Sequence, residues 1–329
     1  MAESNLQGGR RGITAAAVPD LVAKAREGDP RSVGRLVSLV EDESPLLREV
    51  MAAIARNADG APRARIVGLT GSPGVGKSTS TNALVGELRR RDLRVAVLAV
   101  DPSSPFSGGA LLGDRIRMSD HVLDPGVFIR SMAARGHLGG LSWAAPQALR
   151  VLDAAGFDVV LVETVGVGQS EVEVAGLADS TVVLLAPGMG DGIQAAKAGI
   201  LEIGDVYVVN KADREGADKV RRDLRSMLAL AERREGAWKP PVLKTTASTG
   251  EGVAEVVDAL EQHHAWLEET GELARRRVRR SRDEIEALAL TALRRRWASV
   301  DSGDRLDRLA AAVVAGESDP YAAADELLS

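Results

Sequence analysis

The chain has 329 residues, of which 45% are hydrophobic and 3% aromatic, with a net charge of −5 and no cysteine. This content can bury a large aliphatic core, so a wholly disordered protein is excluded. The charge gives no general attraction to nucleic acid or to an anionic membrane. The lack of cysteine excludes disulfides and thiolate metal sites and fits a reducing compartment.

No apolar run of the sequence is long enough to span a bilayer. The first residues, MAESNLQGGRRGITAAAV, contain no apolar segment of the length that a signal peptide needs. We therefore expect a soluble cytoplasmic protein that binds neither nucleic acid nor membrane.

Residues 1–60 are predicted to form an N-terminal helical extension with a frayed leader. Apolar side chains recur there at helical spacing from about residue 17 to 58, with breaks near Gly28-Asp29-Pro30 and Ser44-Pro45. Two or three short helices are expected.

Residues 61–262 show a different pattern, in which short apolar runs alternate with helical stretches. The runs are 65–70, 94–100, 127–132, 158–164, 181–186, 205–210 and 241–246. Such runs are typical of strands that helices cover on both faces, so we predict an α/β domain with a doubly wound, mainly parallel sheet. Residues 263–329 carry no strand signal and are predicted to be helical, beginning with one long helix over 265–297.

A phosphate-binding loop is predicted between the first strand and the helix after it, because GSPGVGKS at 71–78 fits G-x-x-x-x-G-K-[ST]. In this motif Lys77 reaches the β- and γ-phosphates of a nucleotide, and the hydroxyl of Ser78 binds Mg²⁺. The candidate phosphate-binding residues are Gly71, Ser72, Pro73, Gly74, Val75, Gly76, Lys77, Ser78 and Thr79.

A guanine-binding loop is predicted after the strand DVYVVN, where Asn210, Lys211 and Asp213 resemble the N-K-x-D signature of GTPases. A carboxylate accepts the paired N–H groups of guanine, whereas adenine offers an acceptor at one of these positions, so GTP is favoured over ATP. The segment Thr246, Ala247 and Ser248 resembles a guanine-supporting S-A-x loop, with Thr in place of the more usual Ser.

Three acidic residues are candidates for magnesium and water chemistry. Asp101 is expected at the C-terminal edge of a strand beside the strand that feeds the phosphate loop; the alternative is a helix cap or an Asx turn. Asp114 follows a Ser/Gly/Pro-rich stretch and could instead pair with Arg115 or Arg117.

Glu163 is the third acidic candidate, and it opens Glu163-Thr164-Val165-Gly166 with the D-x-x-G spacing of GTPases but Glu in place of Asp. The N–H of Gly166 would contact the γ-phosphate, and the longer Glu side chain suggests contact through water. We predict that Asp101, Asp114 and Glu163 share this chemistry.

Five stretches resemble the methylmalonyl-CoA-mutase-associated G proteins of the MeaB/ArgK type: GLTGSPGVGKST, VLAVDPSSPFSGGALLGDRIRM, SMAARGHLGGLS, VLVETVGVGQSEVEVA and VVNKAD. The resemblance is dense from about residue 65 to 255. It implies a homodimeric, Mg²⁺-dependent GTPase that acts as a chaperone for an adenosylcobalamin-dependent acyl-CoA mutase, gating cofactor loading and protecting the mutase.

The same resemblance implies roles for particular residues. Lys77, Asp101, Asp114 and Glu163 would form the catalytic and magnesium set. Residues 186–197, with Gln194 and Lys197, would form a switch through which the mutase senses the nucleotide. The helical tail would be a dimerisation arm.

Two other functions remain open at the level of sequence. A kinase linked to amino-acid transport would transfer phosphate to a protein. A nickel metallochaperone would need clustered His and Cys ligands, whereas this chain has four His and no Cys. His263 and His264 are helix neighbours that face different directions and are predicted to make a poor metal site.

Overall fold

The computed structural model describes residues 13–56, 63–102, 120–121, 123–134, 144–164, 170–188, 200–230, 235–300 and 304–328. The chain divides into two compact units, one ending at Arg276 and the other beginning at Arg277. This division falls later than the predicted start of the helical arm at residue 263. No helix of the described residues combines the length and the apolar character needed to cross a membrane.

The strands are β1 (Arg65–Thr70), β2 (Val95–Pro102), β3 (Val127–Ala134), β4 (Val159–Thr164), β5 (Ser180–Leu185), β6 (Val206–Val209) and β7 (Val242–Lys244). The helices of the first unit are α1 (Val18–Arg26), α2 (Pro30–Glu41), α3 (Leu47–Arg56), α4 (Lys77–Arg90), α5 (Ala145–Ala154), α6 (Ser170–Leu177), α7 (Ile200–Ile203), α8 (Ala217–Ala229) and α9 (Val253–Glu269). Each described strand lies within a few residues of a predicted apolar run.

The sheet has the order β3-β2-β4-β1-β5-β6-β7, and its described strand pairs are parallel. Alternate residues of a strand face opposite sides. Accordingly Ala96 and Leu98 join a core with the N-terminal helices and α5, whereas Val97 joins a core with α4 and α9 on the other side. The predicted doubly wound α/β fold is confirmed.

One predicted neighbour relation is wrong: β2 does not lie beside β1, because β4 is inserted between them. Glu163 of β4 is in register with Leu69 of β1 on one side and with Ala99 of β2 on the other. Periodicity predicts where strands occur but not their order in the sheet, since a parallel crossover can pass over a position that a later strand fills. The insertion puts Glu163 directly next to the strand that feeds the phosphate loop.

The N-terminal helices break where the sequence predicts. Gly28 has a φ of +90°, and Asp29 caps α2 by accepting a hydrogen bond from the N–H of Ser32 at 2.9 Å. Pro30 then occupies the first helical position, where its missing N–H costs nothing. The helices bury a common apolar face formed by Leu21, Val22, Val33, Leu36, Val37, Val40, Val50 and Ile54.

The single long helix predicted over 265–297 is wrong. Helix α9 ends at Glu269, and α10 (Glu272–Val300) starts after a break at Thr270 and Gly271. Gly271 has a φ of +69°, a conformation that ends a helix and that glycine adopts without strain.

The second unit continues α10 and adds α11 (Asp304–Val314) and α12 (Pro320–Leu328), which contact each other. Large apolar side chains of this unit are exposed in the single chain: Val278, Ile285, Leu288, Leu290, Leu293, Leu306, Val314, Tyr321 and Leu328.

His263 is fully buried in the first unit, where its ring packs against Trp238 and Trp266. Its Nδ1 lies 2.8 Å from the hydroxyl of Ser180, and its Nε2 lies 3.3 Å from Oδ1 of Asp205. Burial lowers the pKa of His263 to about 4, outweighing the opposite effect of the Asp205 carboxylate. The imidazole is therefore neutral at pH 7, and the carboxylate of Asp205 instead accepts two hydrogen bonds from Arg276, each of 3.0 Å.

Stability should fall below pH 6.5 because of His263. The unfolded chain binds a proton at a pKa near 6.5 and the folded chain only near 4, so unfolding takes up a proton between these values. The stabilisation is complete above pH 6.5 and is lost as the pH falls through 4. Its size is about 3 kcal/mol, since one pKa unit corresponds to about 1.4 kcal/mol.

The measurement is the free energy of unfolding between pH 4 and 8 for the wild type and for His263→Gln. The wild-type curve should drop more steeply below pH 6.5. His121→Gln, which changes a partly exposed ring, should follow the wild type. Parallel curves for the wild type and His263→Gln would contradict the prediction.

Candidate nucleotide-binding site

The loop between β1 and α4 has the backbone shape of an anion-binding loop. Gly71, Gly74 and Gly76 have φ values of +144°, +81° and +95°. A Cβ on Gly71 would lie 2.3 Å from the carbonyl oxygen of Leu184, so a side chain does not fit there. Such a loop turns N–H groups toward a bound anion, and the N-terminus of α4 adds partial positive charge.

Lys77 brings a cation into this loop. Its side chain is buried, and Nζ donates to the carbonyl oxygens of Gly71 at 2.5 Å and Ser72 at 3.3 Å. The ammonium group is thus folded back over the loop, where phosphate oxygens would attract it.

Glu163 lies at the first turn of α4, buried with 1% of its surface exposed. Its Oε1 accepts a hydrogen bond from the hydroxyl of Ser78 at 2.7 Å, and its Oε2 accepts one from the hydroxyl of Thr81 at 2.8 Å. Sequence reasoning paired Glu163 with the metal region but missed Thr81. The available signal was that Thr81 stands three positions after Ser78 on the predicted helix and so shares its face.

The loop after β6 is tied to the phosphate loop by two side chains. Asn210 donates from Nδ2 to the carbonyl of Val75 at 2.8 Å, and Lys211 donates from Nζ to the carbonyl of Gly74 at 2.7 Å. Asp213 follows with an exposed carboxylate. These contacts fix the loop after β6 against the loop between β1 and α4.

The loop after β7 completes this arrangement. Oδ1 of Asn210 accepts hydrogen bonds from the N–H of Ala247 and from the hydroxyl of Thr245, each of 3.1 Å. Thr246 is buried and Ser248 is exposed. Thr245 was not among the predicted site residues, although it precedes the predicted Thr246–Ser248 loop; its buried hydroxyl holds Asn210 in place.

Some predicted site residues cannot be placed. Asp114, Gly166, Gln194 and Lys197 lie outside the described residues. For Asp101 the structure describes the backbone, which pairs with Ala133 of β3, but not the side chain.

The described groups fit Mg²⁺, which prefers oxygen ligands. The hydroxyl of Ser78 donates a hydrogen bond to Glu163, so the lone pairs on its oxygen remain available to a cation. Bound Mg²⁺ would neutralise negative charge on phosphate oxygens at this point. Within the described ranges, this site included, no group of three or more His, Asp or Glu side chains is arranged to hold a metal ion.

The sequence matches a protein family and known proteins that are described as GTPases. A family described as methylmalonyl-CoA mutase-associated GTPase MeaB matches residues 33–301. A putative GTPase of Pyrococcus horikoshii is 45% identical over 313 residues, covering 94% of this chain and 97% of that protein. GTPase ArgK of Escherichia coli is 38% identical over 276 residues, 82% of each chain.

A solved structure described as a LAO/AO transport system kinase matches 96% of this chain and 98% of its own, with a TM-score of 0.73 and 28% identity. The fold is therefore shared over nearly the full length of both chains. Because the family match covers most of the sequence, including residues 71–78, Glu163 and residues 210–213, the chain belongs to the methylmalonyl-CoA mutase-associated GTPase family.

Proposed function

We propose that this protein is a Mg²⁺-dependent GTPase that acts as a chaperone for an adenosylcobalamin-dependent acyl-CoA mutase, gating the loading of its cofactor and protecting it. The observation that carries the GTPase part is the joining of the phosphate and base loops through Asn210 and Lys211. The mutase part is supported by the description of the family.

The chemistry proposed for the site is attack of water on the γ-phosphorus of GTP. The N–H groups of the loop and Lys77 would stabilise the charge that develops on the phosphate oxygens. Asp213 would accept the N–H groups of guanine, and Glu163 would hold the hydroxyl of Ser78 at the magnesium position. Catalysis of this kind depends on positioning, which the buried contacts of Lys77 and Glu163 provide.

We further propose that the protein works as a cytoplasmic homodimer. The exposed apolar side chains of the second unit, such as Ile285 and Leu293 on α10, support a subunit contact because burying them against a partner would remove apolar surface from water. Gln194 and Lys197 are proposed to belong to the switch that contacts the mutase.

The test is phosphate release from GTP and ATP, with and without the purified mutase of the same cell. We expect GTP to be preferred and the mutase to accelerate GTP hydrolysis, with Lys77→Ala inactive in both conditions. The mutase should also be captured differently with GDP and with a non-hydrolysable GTP analogue. Unchanged hydrolysis together with nucleotide-independent capture would refute the chaperone role and leave the GTPase assignment intact.

A kinase is the second candidate, because the protein with the matching structure is described as a transport system kinase. It predicts that radiolabel from γ-labelled GTP or ATP appears on a protein side chain. Label found entirely as free phosphate would eliminate it. A nickel metallochaperone has no comparable observation in its favour.

A further inference from the structure

The carboxylate of Glu163 is held at both oxygens by hydroxyl groups from one helix. The hydroxyl of Ser78 donates to Oε1 at 2.7 Å, and the hydroxyl of Thr81 donates to Oε2 at 2.8 Å. Thr81 is completely buried, and its Oγ1 also lies 3.1 Å from the carbonyl oxygen of Lys77, one turn earlier in α4. The shorter of these two contacts is the one to the carboxyl group of Glu163.

This arrangement connects Thr81 to the magnesium position through Glu163. A serine hydroxyl has one proton and two lone pairs, so the position of its hydrogen-bond acceptor determines the direction of the lone pairs. Glu163 is that acceptor for Ser78. The orientation of the carboxylate depends in turn on the hydrogen bond to its second oxygen, Oε2, which Thr81 donates.

The fold makes this connection rigid. Ser78 and Thr81 lie on the same face of α4, and Glu163 comes from the middle of the sheet, between β1 and β2. A β-branched side chain such as Thr has few χ1 rotamers in a helix, so the hydroxyl of Thr81 has few alternative positions.

We propose that Thr81 is a positioning residue that acts through Glu163 to orient the hydroxyl of Ser78 toward Mg²⁺. This inference rests on the proposed function, in which the chain binds GTP together with Mg²⁺. Thr81 itself contacts neither the nucleotide nor the metal; it determines how strongly the metal tightens nucleotide binding.

The test measures the affinity for a fluorescent GDP analogue and for a non-hydrolysable GTP analogue, in EDTA and across a MgCl₂ titration. Thr81→Val keeps the shape of the side chain and removes the hydroxyl. We expect its affinity in EDTA to stay within about twofold of the wild type. The Mg²⁺ concentration at which half of the increase in nucleotide affinity is reached should rise about tenfold, in line with the loss of one buried hydrogen bond.

Two variants provide controls. Thr81→Ser restores a hydroxyl and should return the Mg²⁺ titration close to that of the wild type. Ser80→Ala removes a neighbouring buried hydroxyl that has no hydrogen-bond partner in the described part of the chain, and it should behave as the wild type. Thr81→Ala should repeat the shift of Thr81→Val without placing a methyl group against the carboxylate, and it replaces the valine variant if that variant does not fold.

The outcomes separate this inference from the function on which it rests. Guanine-nucleotide affinity of the wild type that is equal in EDTA and in MgCl₂ overturns the magnesium part of the proposed function. A normal wild-type response with an unchanged titration for Thr81→Val overturns the role of Thr81 alone. An equal loss of affinity with and without Mg²⁺ also overturns it, because it would show that Thr81 supports the whole loop.

Discussion

Replacing Asp213 by Asn should lower the affinity for GTP by about 100-fold or more and create binding of xanthosine triphosphate. In the proposed site the carboxylate would accept two N–H groups from guanine, whereas the Asn side chain keeps one acceptor and presents an NH₂ donor. That donor faces the 2-amino group of guanine, another donor, but pairs with the 2-carbonyl of xanthine. Competition against a fluorescent GDP analogue measures both changes.

Because Asp213 is exposed, its substitution should change the free energy of unfolding by no more than about 0.5 kcal/mol, so a loss of affinity would not result from unfolding. Glu215→Gln removes the same charge from an exposed side chain two positions away and should leave both affinities unchanged. If Asp213→Asn retains wild-type affinity for GTP, the assignment of the base loop is wrong.

Gly76→Ala should abolish tight nucleotide binding and lower the free energy of unfolding by about 3 kcal/mol. Gly76 has a φ of +95°, and a Cβ there would lie 2.5 Å from Nδ2 of Asn210. Asn210 is buried and uses both ends of its amide in hydrogen bonds to Val75, Thr245 and Ala247. It cannot move away without losing them, so the added methyl group must distort the loop.

Gly34→Ala is the matched control, because a Cβ at this position in α2 meets no atom within 4 Å. In a helix interior Ala is favoured over Gly by about 0.5–1 kcal/mol, so this variant should be slightly more stable than the wild type. Denaturant unfolding and nucleotide titration of both variants check the pair. Wild-type binding by Gly76→Ala would show that the loop adapts and that its geometry is not required.

The positions of the strands and of the loops proposed to bind phosphate and base could be predicted from local patterns. A strand such as RIVGLT and the loop GSPGVGKS are defined by neighbouring residues, and the structure places them as predicted. The contact of Asn210 with the phosphate loop could also be anticipated, because the carboxyl ends of parallel strands share one edge of the sheet.

Other features depend on contacts between distant segments. The insertion of β4 beside β1 follows from a choice of crossover that no local pattern records, and it decides that Glu163 contacts α4. The roles of Thr81 and Thr245 depend on where their hydroxyl groups point once the elements have packed. The break at Gly271 was missed because helical periodicity continues on both sides of it.

The side-chain amide of Asn210 links two segments of the candidate site that are distant in sequence. It closes one chain loop of 135 residues at Val75 and another of 37 residues at Ala247. If the segment at Val75 or the segment at Ala247 moved away, one end of the buried Asn210 amide would lose its hydrogen-bond partner, which costs free energy. We therefore expect the segments proposed to bind phosphate and base to open together, so that their amide protons exchange with solvent at a common free energy of opening.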